Sequence, residues 1–239
     1  MLTMPIYSTT GISLIQKGAH PILAESTNAT LLAIDLRGYT EMAEQLSPVK
    51  LVPILGELFS LFTRAVLQHG GQVFRVSEIG SMAAFGVCDL RHTHSNDALM
   101  AAATIQRRFA KLRESWRKGF SITAGVGMGM HRGEVAVGIF GPPGSIQPML
   151  VGDAINVANQ LSARARDGEV LMSAIVNHAG RQHAHDHDHV PGETVPEPPI
   201  QVGRVKLQGR RDYIDAWCLL APGHTETRAG NESMRAANQ

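Results

Sequence analysis

Residues Leu31–Glu44 read LLAIDLRGYTEMAE. With Ala29 and Thr30 in front, the run Ala29–Leu36 is short, apolar and closed by Asp35, the pattern of a buried strand that delivers one carboxylate at its end. Gly38-Tyr39-Thr40 breaks the run, and its backbone N–H groups suit a turn or a phosphate-cradling nest equally well. Downstream, Ser47-Pro48 marks a helix start, Ser as N-cap and Pro in the first turn. Leu51, Leu55, Leu58, Phe59, Phe62 and Val66 share one helical face. Pro53 interrupts that pattern, so the regular helix is expected to begin at about Val52, where a missing N–H costs nothing. Gly70-Gly71 ends it.

Further out, Gln72–Val76 and Ser81–Phe85 read as a hairpin with its turn near Glu78–Gly80. Ser95–Trp116 reads as a helix, Phe120–Met130 and Glu134–Phe140 as two strands, and Gly141–Gly144 as a loop. Asp153–Ala165 reads as a helix capped by its own Asp, Glu169–Met172 as a strand and Ser173–Ala179 as a short helix. Arg181–Pro199 is a polar loop, long for a compact domain, and Gln201–Lys206 with Tyr213–Leu219 closes the pattern as a second hairpin. There is no internal repeat. Strands and helices alternate without a strict βαβ rhythm, which predicts an α+β fold with one sheet covered by helices.

The composition agrees. The chain has 239 residues, 44% hydrophobic and 18% charged, with 22 basic against 21 acidic side chains. That is a globular composition, and the balanced charge argues against a dedicated nucleic-acid binder. No apolar run reaches the ~18 residues of a membrane span. Residues 1–24 show no continuous apolar core of a secretory signal. Cys88 and Cys218 make no disulfide framework, so a reducing cytoplasm is the expected location. Residues 1–27 are expected to be an arm or linker, 28–221 the folded domain and 222–239 a polar, disordered tail.

Four segments together resemble the catalytic domain of class III adenylate/guanylate cyclases. They are Leu31–Glu44, HGGQVFRVSEIGSMAAFG (His69–Gly86), VGMGMHRGEVAVGIFG (Val126–Gly141) and VGDAINVANQLSARARDGEVLMS (Val151–Ser173), and the closing LQGRRDYIDAW (Leu207–Trp217) is similar to the family's last hairpin. The resemblance implies a ferredoxin-like α+β core with a central, mostly antiparallel sheet. It also implies a head-to-tail dimer whose active sites lie at the interface. Metal ligands then come from one subunit, and nucleotide and transition-state contacts from the other.

Cyclisation is a phosphoryl transfer in which the 3′-hydroxyl of a nucleoside triphosphate attacks its own α-phosphorus and pyrophosphate leaves. The protein positions groups and neutralises charge. The resemblance implies two divalent ions, Mg²⁺ or Mn²⁺, held by two Asp side chains. Asp35 matches the first. An ungapped alignment puts Ile79 at the second, with Glu78 adjacent as a possible substitute; a two-residue gap puts Ser81 there instead. Either way the carboxylate is lost. Leu36, Gly38, Tyr39 and Thr40 fall at nucleotide-binding positions. The base-contacting Lys falls on Arg75, of the same charge but different reach, and its usual Asp or Thr partner on Met149. On the later helix Asn156 is kept, and the transition-state Arg one turn on is Gln160, which carries no charge. The triphosphate Lys falls near Gln208, with Lys206, Arg210 and Arg211 close by.

These departures favour a class III cyclase-like domain in cyclic-nucleotide signalling that is catalytically degenerate and serves as a nucleotide-binding or regulatory module. The alternative is an active cyclase with a non-standard metal and base site. A homodimer is expected, or a heterodimer with another cyclase-type domain. Simple complementation leaves a defect either way, because this chain has neither both metal Asp residues nor the Arg. No nucleic-acid partner is expected. The alternating His183–His189 run (HAHDHDH) offers Zn²⁺ or Ni²⁺ ligands, although a solvated loop explains it better.

Overall fold

The structure is a computed structural model, and it describes residues 25–76, 80–87, 94–140, 147–183 and 197–221. The expected turn residues Glu78 and Ile79, the Gly141–Gly144 loop, Cys88, the His/Asp run from 184 on, most of the arm and the tail lie outside those residues.

Eight strands form one sheet among the described residues: β1 (Glu25–Arg37), β2 (Gln72–Val76), β3 (Gly80–Phe85), β4 (Gly125–Phe140), β5 (Gln147–Val151), β6 (Glu169–Ser173), β7 (Ile200–Lys206) and β8 (Tyr213–Leu220). Their order is β2-β3-β1-β4-β6-β8-β7, with β5 pairing on β4 beside that path. Every pair is antiparallel except β4 with β6. The helices are α1 (Tyr39–Gln45), α2 (Pro48–Gln68), α3 (His94–Phe120), α4 (Asp153–Arg164) and α5 (Ala174–His183). This is the expected mixed α+β architecture with a mostly antiparallel sheet.

The alternation of β1 splits the core. Leu32, Ile34 and Leu36 point to one face and join Phe62, Ile105, Trp116, Met128 and Met130 in the larger apolar cluster beneath α2 and α3. Ala29, Leu31 and Ala33 point to the other face, where Val135, Leu150, Ala154 and Ala158 cover them. A third cluster seals α4 against the closing hairpin through Leu161, Leu171, Val205 and Leu207. One helix therefore covers the second face, and it is the helix that carries Asn156 and Gln160.

β4 is one strand of 16 residues, not the two separate strands expected, and it starts at Gly125 because α3 runs on to Phe120. Its glycines read as breaks but serve packing. Gly127 and Gly129 alternate with Met128 and Met130, and a Cβ at Gly129 would sit 2.1 Å from the Ser162 nitrogen and 2.2 Å from the Ala158 carbonyl. The bare side of the strand is the seat of α4.

Other expectations shift at element ends. β1 begins at Glu25, three residues inside the expected arm. α1 follows the expected break directly, with Gly38 at φ 80° as its N-cap. A Cβ on Gly38 would lie 2.7 Å from the Thr123 carbonyl, so the site needs glycine twice over. α2 starts at Pro48 rather than near Val52, and Pro53 stays inside it. Proline there deletes only the bond to the Val49 carbonyl, in an exposed second turn. Ile54, Leu61 and Ala65 are buried on α2, while Leu55 and Phe59 are only partly covered. Ser47 and Gly152 occupy the N-cap positions of α2 and α4 without a side-chain cap bond, and Asp153 is the first helical residue rather than the cap. β5 has no counterpart in the sequence reading, and α5 extends to His183.

Candidate active site

Asp35 stands two residues before the end of β1, opposite Gly80 on β3 and Gly127 on β4. Both neighbours lack side chains, and the space over Gly127 is filled instead by the Arg37 guanidinium and the Ala165 carbonyl, so the carboxylate is half-buried. The described ends of the hairpin are Val76, opposite Ser81, and Gly80, opposite Asp35. Residues directly opposed in an antiparallel pair share a face, and Ser81 opposes Ile34. Ser81 therefore points into the opposite face from Asp35, buried and without a hydrogen-bond partner among the described residues. The alignment that places Ser81 at the second metal position fails on this register.

Arg37 is two residues beyond Asp35 and so on the same face. Its Nη1 donates to Asp35 Oδ2 at 2.6 Å, and its Nη2 donates to the carbonyls of Ser162 at 2.5 Å and Ala165 at 2.8 Å. One guanidinium thus ties the carboxylate of β1 to the C-terminal turn of α4, where the helix dipole puts partial negative charge on the carbonyls. Sequence reasoning missed this role. The signal was present, because a spacing of two on a strand puts side chains on one face.

On α4, Asn156, Gln160 and Arg164 follow at i, i+4 and i+8 on the side turned away from the sheet. Asn156 is exposed. Gln160 is not free to reach a ligand. Its Nε2 donates to the Gln208 carbonyl at 3.0 Å, and its Oε1 accepts from the Gln208 N–H at 2.5 Å. Arg164 adds bonds to the carbonyls of Gln160 at 3.2 Å and Lys206 at 2.9 Å. The position of the implied transition-state Arg is thus locked onto the backbone at the position of the implied triphosphate Lys. Arg210 of the same connection pairs with Asp153.

Arg75 lies on β2 opposite Met82, and Met149 lies on β5 opposite Gly138. Their sequence neighbours Phe74 and Leu150 pack in one apolar cluster, so the two base-site positions belong to one region of the molecule. Met149 is 41% exposed and offers no polar group. Leu36 is buried in the larger core and presents only its backbone, Tyr39 packs against that core, and Thr40 is exposed on α1. Asp35 and the Asn156–Gln160 face do not meet within one chain. Arg37 binds α4 from the sheet side, whereas Gln160 faces the closing hairpin.

His131, on β4, was not singled out from the sequence. Its Nδ1 lies 2.8 Å from Ser173 Oγ. Burial, helped by the nearby Arg210 charge, pulls the imidazole down to about 4, so it is neutral at pH 7.

The Mg²⁺ or Mn²⁺ pair implied by the resemblance can be tested against these donors. Around Asp35 the described residues supply one carboxylate, already paired with Arg37, a glycine opposite and a serine on the wrong face. No group of three potential ligands forms among the described residues. Residues 78 and 79, at the implied second ligand position, lie outside the described residues.

The family profile described as the adenylate and guanylate cyclase catalytic domain matches residues 23–207. An adenylate cyclase of Anabaena cylindrica is 30% identical over 155 residues, covering 63% of this chain and 29% of its own length. A membrane guanylyl cyclase of Dictyostelium discoideum is 26% identical over 159 residues, covering 66% of this chain and 10% of its own. Among solved structures, the adenylyl cyclase CyaB of P. aeruginosa superposes with a TM-score of 0.73 at 19% identity, over 83% of this chain and 96% of that one. The guanylyl cyclase Cya2 gives 0.70 at 20% identity, over 84% and 97%. The fold and the order of the segments are those of class III nucleotide cyclase domains. The chain belongs to the adenylate and guanylate cyclase catalytic domain family. It spans less than a third of the length of the curated relatives just named. No helix among the described residues is long and apolar enough to cross a membrane.

Proposed function

We propose that this chain is a cyclase-homology domain that binds nucleoside triphosphate as a regulatory or interaction module and turns it over little or not at all. The observation that carries this reading is the Gln160 amide, spent on both backbone groups of Gln208. Charge-stabilising Arg residues in phosphoryl transfer are worth on the order of 10³–10⁵ in rate, and a neutral amide already bonded within its own chain supplies none of that. The single carboxylate at Asp35 supports the same reading. Arg75 with Met149 leaves the base-reading pair incomplete.

A specific observation keeps the active-enzyme reading as the second one. Asp35 keeps the carboxylate of the first metal position at the edge of the described hairpin, and Asn156 is exposed. Because Asp35 and the Asn156 face lie on different sides of α4, either reading places a complete site only between two chains, in a head-to-tail homodimer or with another cyclase-type domain. The exposed apolar groups available for it near α4 are Met149 and Val151 of β5. The exposed residues of α4 itself are Asp153, Asn156, Ala163 and Arg164.

The deciding experiment incubates the chain with ATP, GTP, CTP and UTP in turn, with Mg²⁺ or Mn²⁺, and quantifies cyclic nucleotide and pyrophosphate. Binding with turnover below about a thousandth of a working cyclase is the expected result. Robust Mg²⁺-dependent turnover abolished by Asp35→Ala would overturn it.

A further inference from the structure

The connection between β7 and β8 is strapped to the exposed side of α4. Leu207 is buried, the Arg210 N–H donates back to the Leu207 carbonyl at 3.3 Å, and Gly209 takes the left-handed conformation (φ 77°) that lets this turn close. The Gln160 amide holds both backbone groups of Gln208. Nearer the start of the helix, Asp153 pairs with the Arg210 guanidinium. Asp153, Asn156 and Gln160 follow at i, i+3 and i+7 on one side of α4, so Arg210 delivers its charge one turn from Asn156.

The neighbouring cations are committed elsewhere. Val205 packs in the cluster that seals α4 against the closing hairpin, so Lys206 points to the opposite face of the sheet. There its ammonium stands 5.9 Å from the centre of the Tyr213 ring. Arg164 donates to the carbonyls of Gln160 and Lys206. Arg211 is exposed, with no ion pair among the described residues. That leaves Arg210 as the cation placed beside Asn156.

Asp153 alone has an ordinary explanation, because a carboxylate in the first turn complements the helix dipole. That effect does not call for an arginine opposite it. The pair is also an exposed one, with Arg210 at 36% and Asp153 at 66%, and such pairs hold weakly and exchange readily. A guanidinium pairs bidentately with phosphate oxygens, and a triphosphate brings several negative charges against the single one of Asp153. Gln160 and Gln208, bonded to each other, bring no charge to meet them.

We infer that Arg210 is the phosphate-holding residue of this face, and that Asp153 occupies it until a nucleoside triphosphate displaces the carboxylate. The inference rests on the proposal that the chain binds nucleoside triphosphate, and adds to it one contact and an internal competitor for that contact.

The test is calorimetric titration of the chain with α,β-methylene-ATP and, separately, α,β-methylene-GTP in Mg²⁺ buffer. The methylene bridge cannot leave, so neither analogue is cyclised. For whichever analogue binds, Arg210→Gln should weaken binding about tenfold, the loss of a hydrogen bond between charged groups. Asp153→Asn should tighten it about threefold, the scale of an exposed ion pair, and no loss of folding imitates a gain. That gain should vanish in the double variant Asp153→Asn/Arg210→Gln. Arg211→Gln and Asp212→Asn make the same charge changes beside the pair, and each should shift affinity by less than about twofold. Saturable binding indifferent to Arg210→Gln overturns the inference. So does a gain from Asp153→Asn that persists without Arg210, or a loss from Arg211→Gln as large as that from Arg210→Gln. Each of these outcomes leaves nucleotide binding itself standing. No saturable binding of either analogue to the unmodified chain overturns the binding proposal and this inference together.

Discussion

At the scale of single residues, the site is defined by what each polar group is already bonded to. Gln160 shows this most clearly. In an exposed setting each of its two bonds to Gln208 is worth about 0.5–1.5 kcal/mol. Gln160→Arg, which restores the family's charge, should therefore lower stability by about 1–2 kcal/mol and loosen residues 207–212. Urea unfolding reads the first and limited proteolysis the second. An unchanged midpoint would show that the amide pair contributes nothing. His131 makes a prediction of a different kind. Its folded value of about 4 lies below the ordinary value of 6.5, so the fold favours the neutral ring. The unfolded chain takes up the proton first as pH falls. The contribution of His131 is thus fully present above pH 6.5 and is lost as pH drops from there towards 4. His131→Gln should flatten that part of the stability–pH curve while leaving the plateau above pH 7 with a similar shape. Urea midpoints taken at half-unit pH steps would check it.

At the scale of elements, the glycines of β4 and the placement of α4 are one feature. A methyl group at Gly129 has no room, because the atoms it meets are helix backbone rather than a side chain that can swing away. Gly129→Ala should cost about 3 kcal/mol, the upper end of overpacking penalties, since α4 must lift as a whole. Chemical denaturation measures it, and a loss under 1 kcal/mol would mean that the helix sits more loosely than drawn. The same feature explains where sequence reading succeeded and where it stopped. The ATLLAIDL run, the β2–β3 hairpin and the closing hairpin were legible because their apolar residues keep a strand period between glycine-rich turns. β4 was misread as two strands because glycine in a strand normally signals a break, and only the helix overhead reveals the packing reason. α1 stayed hidden because seven mostly polar residues after a glycine carry no strong period. β5 has too few residues, one of them Pro148, to announce itself. The losses at 79, 149 and 160 were legible as substitutions. The bond from Gln160 to Gln208 was not, because its partner is backbone 48 residues away.

At the scale of the whole molecule, the question is whether two copies can build what one lacks. Asp35 and the Asn156 face lie on different sides of α4, so any cyclase site needs a second chain, and sedimentation should show dimer at tens of micromolar protein. A strict monomer at that concentration would leave no place for either reading of the site. Given a dimer, Ile79→Asp and Gln160→Arg repair different electrostatic terms of one transition state. The first returns the carboxylate that the resemblance implies at the second metal position. The second returns a charge worth on the order of 10³ or more, at the expense of the Gln208 brace. Because both act on the same step, their effects do not add independently. A carboxylate that binds the ion gains little if the developing phosphate charge is left uncompensated, and an arginine gains little without the ion. The double variant should therefore make cyclic nucleotide faster than the product of the two single gains, from a starting rate near zero. Measured initial rates for the four proteins, with Mg²⁺ and with Mn²⁺, decide it. Inactivity of the double variant, with folding and dimerisation intact, would locate the defect at Arg75 and Met149, where the base is read. The next repair would then be Met149→Asp, since a carboxylate there restores the hydrogen-bonding partner that the family pairs with its base-contacting cation.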